Sequence, residues 1–429
     1  MLTREENELL CRVGPGTPMG EVFRRYWLPA LLSYELPAPD SPPVRVKLLG
    51  EDLVAFRDSN GRVGLLAERC SHRRASLFYG RNEECGLRCI YHGWKYDTDG
   101  NILGTPAEPA ESMLKHHVKH PAYPTHEVNG LVLTYMGPRG KQPLIPNYEW
   151  FTPAEGSYVE GKYWNENNWL QSVEGDCDSS HIDYLHRSAG YQGVVEGTLD
   201  LKSGFGAALE FEIEQGPWWI KAGATRYVGN GEKYVRTNMF IPPCIGIPPS
   251  GPNPNGIASG GFHTIYQLPA DDYHTWRIDI HTEPRRRGAP EDGMLQAFRD
   301  VGPDWRKFAN KGNNHLQNRD LMKTTVYSGI DFGNHVQDAC VTESMGPISD
   351  RENEHLGSCD AQPKAMRQWL LQIVRDVQAG KDPPGIAFDA ADNRFDDLYA
   401  VHAVLPPDVP WTDKELVLAH GHPMRRGGG

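Results

Sequence analysis

Two short mixed pairs of sulfur and nitrogen donors constrain this chain more than any other feature. Cys70-Ser71-His72 and, after a spacer of sixteen residues, Cys89-Ile90-Tyr91-His92 each offer one thiolate and one imidazole. That distribution suits a [2Fe–2S] centre in which Cys70 and Cys89 bind one iron and His72 and His92 the other. A zinc ion takes the same ligand types, but its sites usually pair cysteine with cysteine and histidine with histidine. The mixed pairs therefore favour the iron–sulfur centre. Neutral imidazoles in place of two thiolates make such a cluster less negative and raise its potential, so it accepts electrons readily.

The text around these loops is strand-like. VRVKLLG, EDLVAFRD, RVGLLAE, LRCIYHGW and GLVLTYMG, between residues 44 and about 137, are each bounded by Gly, Asp or Asn, which predicts a small antiparallel β domain. Upstream, residues 3–26 predict two short helices around a Gly-Pro-Gly turn at 14–16, and 138–156 reads as a Pro- and Gly-rich linker. Downstream, 164–187 predicts a helix, 207–240 three strands in a meander, and about 261–268 and 275–282 further strands. Met366, Trp369, Leu370, Ile373, Val374 and Val377 repeat on one face of a helix over 363–379. With 429 residues, two or three units are expected. They are an N-terminal helical segment at 1–43, the cluster domain at 44–145 and a catalytic domain at 146–429.

A second metal constellation lies in the 164–187 segment, where Glu174, Asp178, His181 and His186 are spaced E-x3-D-x2-H-x4-H. The first three share a face of a straight helix, but five residues is about 140° of rotation, so His186 reaches a metal held by His181 only if the helix ends or bulges between them. Two histidines and a carboxylate form the facial triad of non-haem iron oxygenases, which leaves positions open for O2. The carboxylate is either Asp178, the nearest in sequence, or one from a distant segment.

With both constellations in one chain, the sequence resembles the Rieske non-haem iron oxygenases, aromatic ring-hydroxylating α subunits, and within them the phthalate 4,5-dioxygenase-like group. The resemblance rests on CSHRRASLFYGRNEECGLRCIYHGWKYD and NWLQSVEGDCDSSHIDYLH, and for the subgroup on MLTREENELLCRVGPGTPMGEVFRRYW and QDACVTESMGPISDR. It implies an α+β fold: a Rieske domain of three small antiparallel sheets and a helix-grip catalytic domain with an antiparallel sheet and covering helices. It also implies a head-to-tail homotrimer. By position Asp338 would be the third ligand beside His181 and His186. Asp178 would then bridge His181 to a cluster histidine of the neighbouring subunit.

No G-x-G-x-x-G after a strand, P-loop or plant-type four-cysteine spacing occurs, so electrons are expected from a separate NAD(P)H-dependent reductase carrying flavin and a ferredoxin-type cluster. A net charge of −12 argues against nucleic acid or an anionic membrane as partner. With no signal-peptide core or spanning apolar run, a cytoplasmic location is expected. In so acidic a chain, Arg226 and Arg236 on the meander are the candidates to hold an anionic aromatic substrate. Hydroxylation of such a carboxylate is the expected reaction; an aryl-ether O-demethylase or other monooxygenase is the alternative, and a purely electron-transferring Rieske protein a further one. His116, His117, His120 and His126 read as lone surface histidines, and Trp218 and Trp219 as core and sheet-face residues.

Overall fold

The computed structural model describes residues 1–151, 158–186, 210–227, 231–249, 263–282 and 300–420. The punctuated strand text of the first half folds into three small antiparallel sheets. One orders Val44–Leu48, Glu51–Arg57, Val63–Ala67 and Ala122–Tyr123; a second orders Arg81–Glu83, Gly86–Arg88, Lys95–Tyr96 and Ile102–Gly104. The third places Leu131–Tyr135 between Trp27–Leu32 and Thr125–Val128. Trp27–Leu32, expected as part of a helical segment, is thus a strand. Its six residues are all buried, and unbroken apolar text carries no alternation to mark it.

The second half is built on one antiparallel sheet. Its path runs Tyr158–Asn165, His274–His281, His263–Asp271, Ile245–Ile247, Lys233–Ile241, Ile220–Tyr227 and Glu210–Gln215, with His402–Leu405 also paired to Lys233–Ile241. Helix Trp169–Asp176 lies against His263–Asp271, and helix Ala361–Gln378 against Glu210–Gln215 and Ile220–Tyr227. The latter buries Met366, Leu370, Ile373, Val374 and Val377, the face the periodicity predicts. Each such side chain contributes roughly 1.5–3 kcal/mol of burial. The N-terminal helices Arg4–Cys11 and Pro18–Phe23 pack on the same long helix. The two halves also meet at a hairpin tip, where Leu49 N–H and Gly50 N–H donate to Pro269 O and Ala270 O at 2.9 and 2.8 Å.

A single helix over 164–187 is not formed. Residues up to Asn165 complete a strand, Asn168 caps the helix by accepting from Leu170 N–H, and the helix stops at Asp176. It stops because the sheet supplies a competing partner: Asn238 Nδ2 donates to Asp176 O at 3.1 Å, and Ser179 Oγ donates to Asn238 Oδ1 at 2.9 Å.

Arg351 is fully buried and ties three elements together. It donates to Glu174 Oε2 at 3.0 Å and to Asn7 Oδ1 at 2.9 Å, while Arg367 donates to Glu174 Oε1 at 2.6 Å. Replacing Arg351 with Met strands part of a buried charge, and a stability loss of about 3 kcal/mol or more is expected in chemical denaturation followed by tryptophan fluorescence. A loss below about 1 kcal/mol would mean that Arg367 alone satisfies Glu174.

Candidate metal centres

The first loop is a tight turn in which Cys70 N–H donates to Ala75 O and Arg74 N–H to Cys70 O, both at 2.9 Å. The second closes with Cys89 N–H donating to Trp94 O at 2.8 Å and Gly93 N–H to Cys89 O at 2.9 Å. Gly93 has φ +75, and a Cβ there would meet Pro106 Cγ at 2.6 Å, so the turn admits no side chain. Cys70 and Cys89 are buried next to each other; burial pushes the Cys89 thiol up, and Cys70 adds to that. His72 and His92 form the other pair, with ring centroids 4.5 Å apart.

These donors do not converge on one point. Among the described residues, the only set of three or more His, Cys, Asp or Glu donor atoms within 4.8 Å of one another is His181, His186 and Asp338. A tetrahedral zinc site would gather all four loop donors that closely. A thiol pair and a separate imidazole pair instead fit two irons. His72 Nδ1 is buried without a hydrogen-bond partner among the described residues, an unsatisfied position that a metal bond would relieve. Tyr96 Oη lies 3.0 Å from Cys70 Sγ.

The second set is assembled by the helix break. After Asp176 the chain turns through a short 3-10 segment at His181–Asp183, with Leu185 N–H donating to His181 O at 2.7 Å, and this returns His186 to His181. His181 Nε2 and His186 Nε2 are 3.1 Å apart; Asp338 Oδ1 is 3.0 Å from the latter and 3.8 Å from the former. Ligand bonds of about 2.1 Å at right angles put neighbouring donor atoms about 3.0 Å apart. Two of the three edges match one face of an octahedron, and the third, from His181 to Asp338, is longer. Asp338 reaches it from helix Asn334–Ser344.

Groups with no signature in the sequence hold this set. Gln337 Oε1 accepts from His186 Nδ1 at 2.7 Å, while its Nε2 donates to Ile330 O at 2.8 Å. With Nδ1 committed to Gln337, Nε2 is the His186 nitrogen that faces the triad. Arg277 Nη1 donates to Asp338 Oδ2 at 3.0 Å, and its Nε donates to Asp279 Oδ1 at 2.9 Å. Burial would raise the Asp338 pKa, but His186, Arg277 and His181 together hold it well below the usual carboxylate range. Arg277 lies 61 residues from Asp338, beyond any local spacing rule.

Asp178 is not part of the triad. Its Oδ1 accepts from Ser180 N–H at 2.6 Å, and its Oδ2 faces His181 Nδ1 at 3.5 Å. It lines a half-open cavity of about 370 Å³ together with Tyr184, Val341, Met345, Leu356 and Asp360. Glu174, on the same predicted face, is instead taken up by Arg351 and Arg367. Arg226 and Arg236 lie on neighbouring strands, Arg226 opposite Tyr234 and Arg236 opposite Ala224. Arg226 is buried in an ion pair with Asp183, and the Nε atoms of Arg226 and Arg236 are both buried without a hydrogen-bond partner among the described residues. His116, His117 and His126 are exposed, as expected of surface histidines, but His120 is buried, because both of its ring nitrogens find partners inside the cluster domain. Trp219 is buried, with Lys221 Nζ 3.8 Å from its ring centroid.

Comparison with known proteins follows the same division. Residues 26–124 match the family model of the Rieske [2Fe-2S] domain, and residues 134–424 match that described as LigXa C-terminal domain like. The phthalate 4,5-dioxygenase oxygenase subunit of Pseudomonas putida is 38% identical over 96% of this chain and 94% of its own length. The 3-chlorobenzoate-3,4-dioxygenase oxygenase subunit of Comamonas testosteroni is 35% identical over 96% and 97%. Among solved structures, dicamba monooxygenase bound to dicamba superposes with a TM-score of 0.58 at 18% identity, over 83% of this chain and 99% of that one, a likeness of fold.

Proposed function

Since the chain belongs to the Rieske non-haem iron oxygenases, with a [2Fe–2S] domain followed by a mononuclear-iron domain, we propose that it hydroxylates an aromatic carboxylate of the phthalate type. The observation that carries this reading is the convergence of His181, His186 and Asp338 in the same chain as the paired Cys70/Cys89 and His72/His92 donors. An electron carrier alone would have no use for the second set. Cys70, Cys89, His72 and His92 would hold the cluster, and His181, His186 and Asp338 the mononuclear iron. When bound, these groups supply electrons and activate O2.

The protein's own part is orientation and charge. Gln337 keeps His186 Nε2 toward the triad, and Arg277 occupies Asp338 Oδ2, so that Oδ1 is the oxygen left for a metal. His181 Nδ1 faces Asp178, which orients the other imidazole. The electrons would come from a separate NAD(P)H-dependent reductase, as no nucleotide-binding motif is present.

A head-to-tail homotrimer is supported by two unlike surfaces. The cluster loops expose Ile90 and Tyr91, with the exposed Arg73 over the Tyr91 ring at 5.4 Å. The cavity at Asp178 offers apolar Val341, Met345 and Leu356 with acidic Asp178 and Asp360. Apolar and charge complementarity both favour a second copy's cluster loops in that cavity, where His92 of that copy would meet Asp178.

Substrate recognition falls to Arg236. Both arginines have an uncommitted Nε, but Arg226 is already charge-paired with Asp183, which leaves Arg236 as the guanidinium for bidentate carboxylate binding. Purified protein with a surrogate reductase is to be assayed against aromatic acids, their neutral amides and methoxyaromatics. A dihydroxylated acid is expected. Arg236→Met should raise KM for the acid at least ~10-fold, the scale of a hydrogen bond to a charged group, and leave the amide nearly unchanged. Equal effects on acid and amide discard the carboxylate assignment, and turnover of methoxyaromatics alone replaces it with O-demethylation.

A further inference from the structure

His120 stands outside both metal-binding motifs, yet it is 1% exposed and sits behind the first cluster loop. Its Nε2 lies 2.8 Å from Ala67 O, its Nδ1 lies 2.7 Å from Ser71 Oγ, and its ring is 4.5 Å from that of Tyr96, centroid to centroid. Since a backbone carbonyl only accepts, Nε2 carries the proton. Nδ1 is then an acceptor, and the Ser71 hydroxyl must donate to it. Burial pushes the pKa of this histidine down, which keeps the tautomer neutral. Its backbone is anchored as well: His120 N–H donates to Gly100 O at 2.9 Å, and a Cβ at Gly100, φ +78, would sit 2.2 Å from His120 O.

The three groups that His120 touches are the end of a strand, the residue between two cluster donors, and the ring whose hydroxyl lies 3.0 Å from Cys70 Sγ. A thiolate that binds iron has no proton, so the Tyr96 hydroxyl is the donor in that contact. Hydrogen bonds donated to cluster sulfurs stabilise the more negative reduced state and raise the potential.

We propose that His120 is a positioning residue for the [2Fe–2S] cluster, which backs the Tyr96 ring so that its hydroxyl stays on Cys70 and takes up the Ser71 hydroxyl so that it cannot turn to the cluster. The proposal rests on the reading of Cys70, His72, Cys89 and His92 as cluster ligands.

The test measures midpoint potentials of the purified full-length protein by dye-mediated titration, following the visible cluster spectrum. Tyr96→Phe sets the scale by removing the donor. In a Ser71→Ala background, which removes the competing hydroxyl, His120→Leu is expected to lower the potential by at least half of the Tyr96→Phe drop. Added to Tyr96→Phe it should change little. If His120→Leu does not retain the cluster, His120→Gln, which keeps a donor for Ala67 but has no ring to back Tyr96, is measured in its place against the same thresholds. An unchanged potential, or the same drop with and without the Tyr96 hydroxyl, overturns the proposal. Wild-type protein lacking a Rieske spectrum would instead overturn the cluster reading itself.

Discussion

Replacing Asp338 with Ala is expected to lower total iron from about three to about two per chain while the visible Rieske spectrum persists, because the mononuclear site loses a ligand and the cluster loses nothing. The expectation follows from how the carboxylate is held. Its Oδ1 is 3.0 Å from His186 Nε2, and its Oδ2 is taken by Arg277 at 3.0 Å, so it presents one fixed oxygen to the site. The same neighbours keep it ionised against the effect of burial, which alone would raise its pKa. Removing it leaves two imidazoles and takes one negative charge from beside Arg277, which keeps Asp279 as its partner, and both changes disfavour a cation. Iron analysis beside the visible spectrum decides the matter. Iron that stays near three per chain would remove Asp338 from the ligand set and return Asp178 as the candidate.

How much of each feature is legible in the sequence depends on the range of the interactions that make it. The C-x-H and C-x-x-H loops carry their geometry within a few residues, so both the donors and their pairing can be read from the text. The face of helix Ala361–Gln378 is legible for the same reason, since its periodicity is local. The helix expected over 164–187 is cut short because what ends it is remote: Asn238, on a strand 62 residues from Asp176, donates to the carbonyl that would otherwise continue the helix. The spacing of His181 and His186 demands a break between them, but it does not reveal that the chain leaves the helix before Asp178. Gln337 and Arg277 leave no trace in the text because their partners lie 151 and 61 residues away. A glutamine or an arginine on its own has no spacing signature. His120 has the sequence surroundings of a surface residue, beside His116 and His117; its burial comes from the sheet contacts at Ala67 and Gly100, which no local pattern encodes.

The largest kinetic effect is expected from Asp178→Asn. Asp178 Oδ1 accepts from the backbone N–H of Ser180, and Oδ2 faces His181 Nδ1 at 3.5 Å at the wall of the open cavity. Burial would raise its pKa, but the His181 imidazole and the Ser180 donors hold it below the usual range, so the carboxylate is charged at neutral pH. An asparagine of the same size can keep the Ser180 contact only through its oxygen. Its NH2 then turns toward the His181 Nδ1–H, setting donor against donor, and nothing is left to accept from an imidazole arriving from a second copy. Iron content, the Rieske spectrum and reduction by the reductase should all survive, since no ligand is changed. Recovery of the oxidised absorbance on mixing reduced protein with O2 and substrate should slow at least ~100-fold, the upper range for loss of a group that orients a metal ligand. If Asp178 only stabilises the turn through Ser180, asparagine would serve that role nearly as well. A single-turnover rate close to wild type in stopped-flow would therefore sink the bridge, whereas loss of the mononuclear iron would make Asp178 a ligand and reopen the assignment of Asp338.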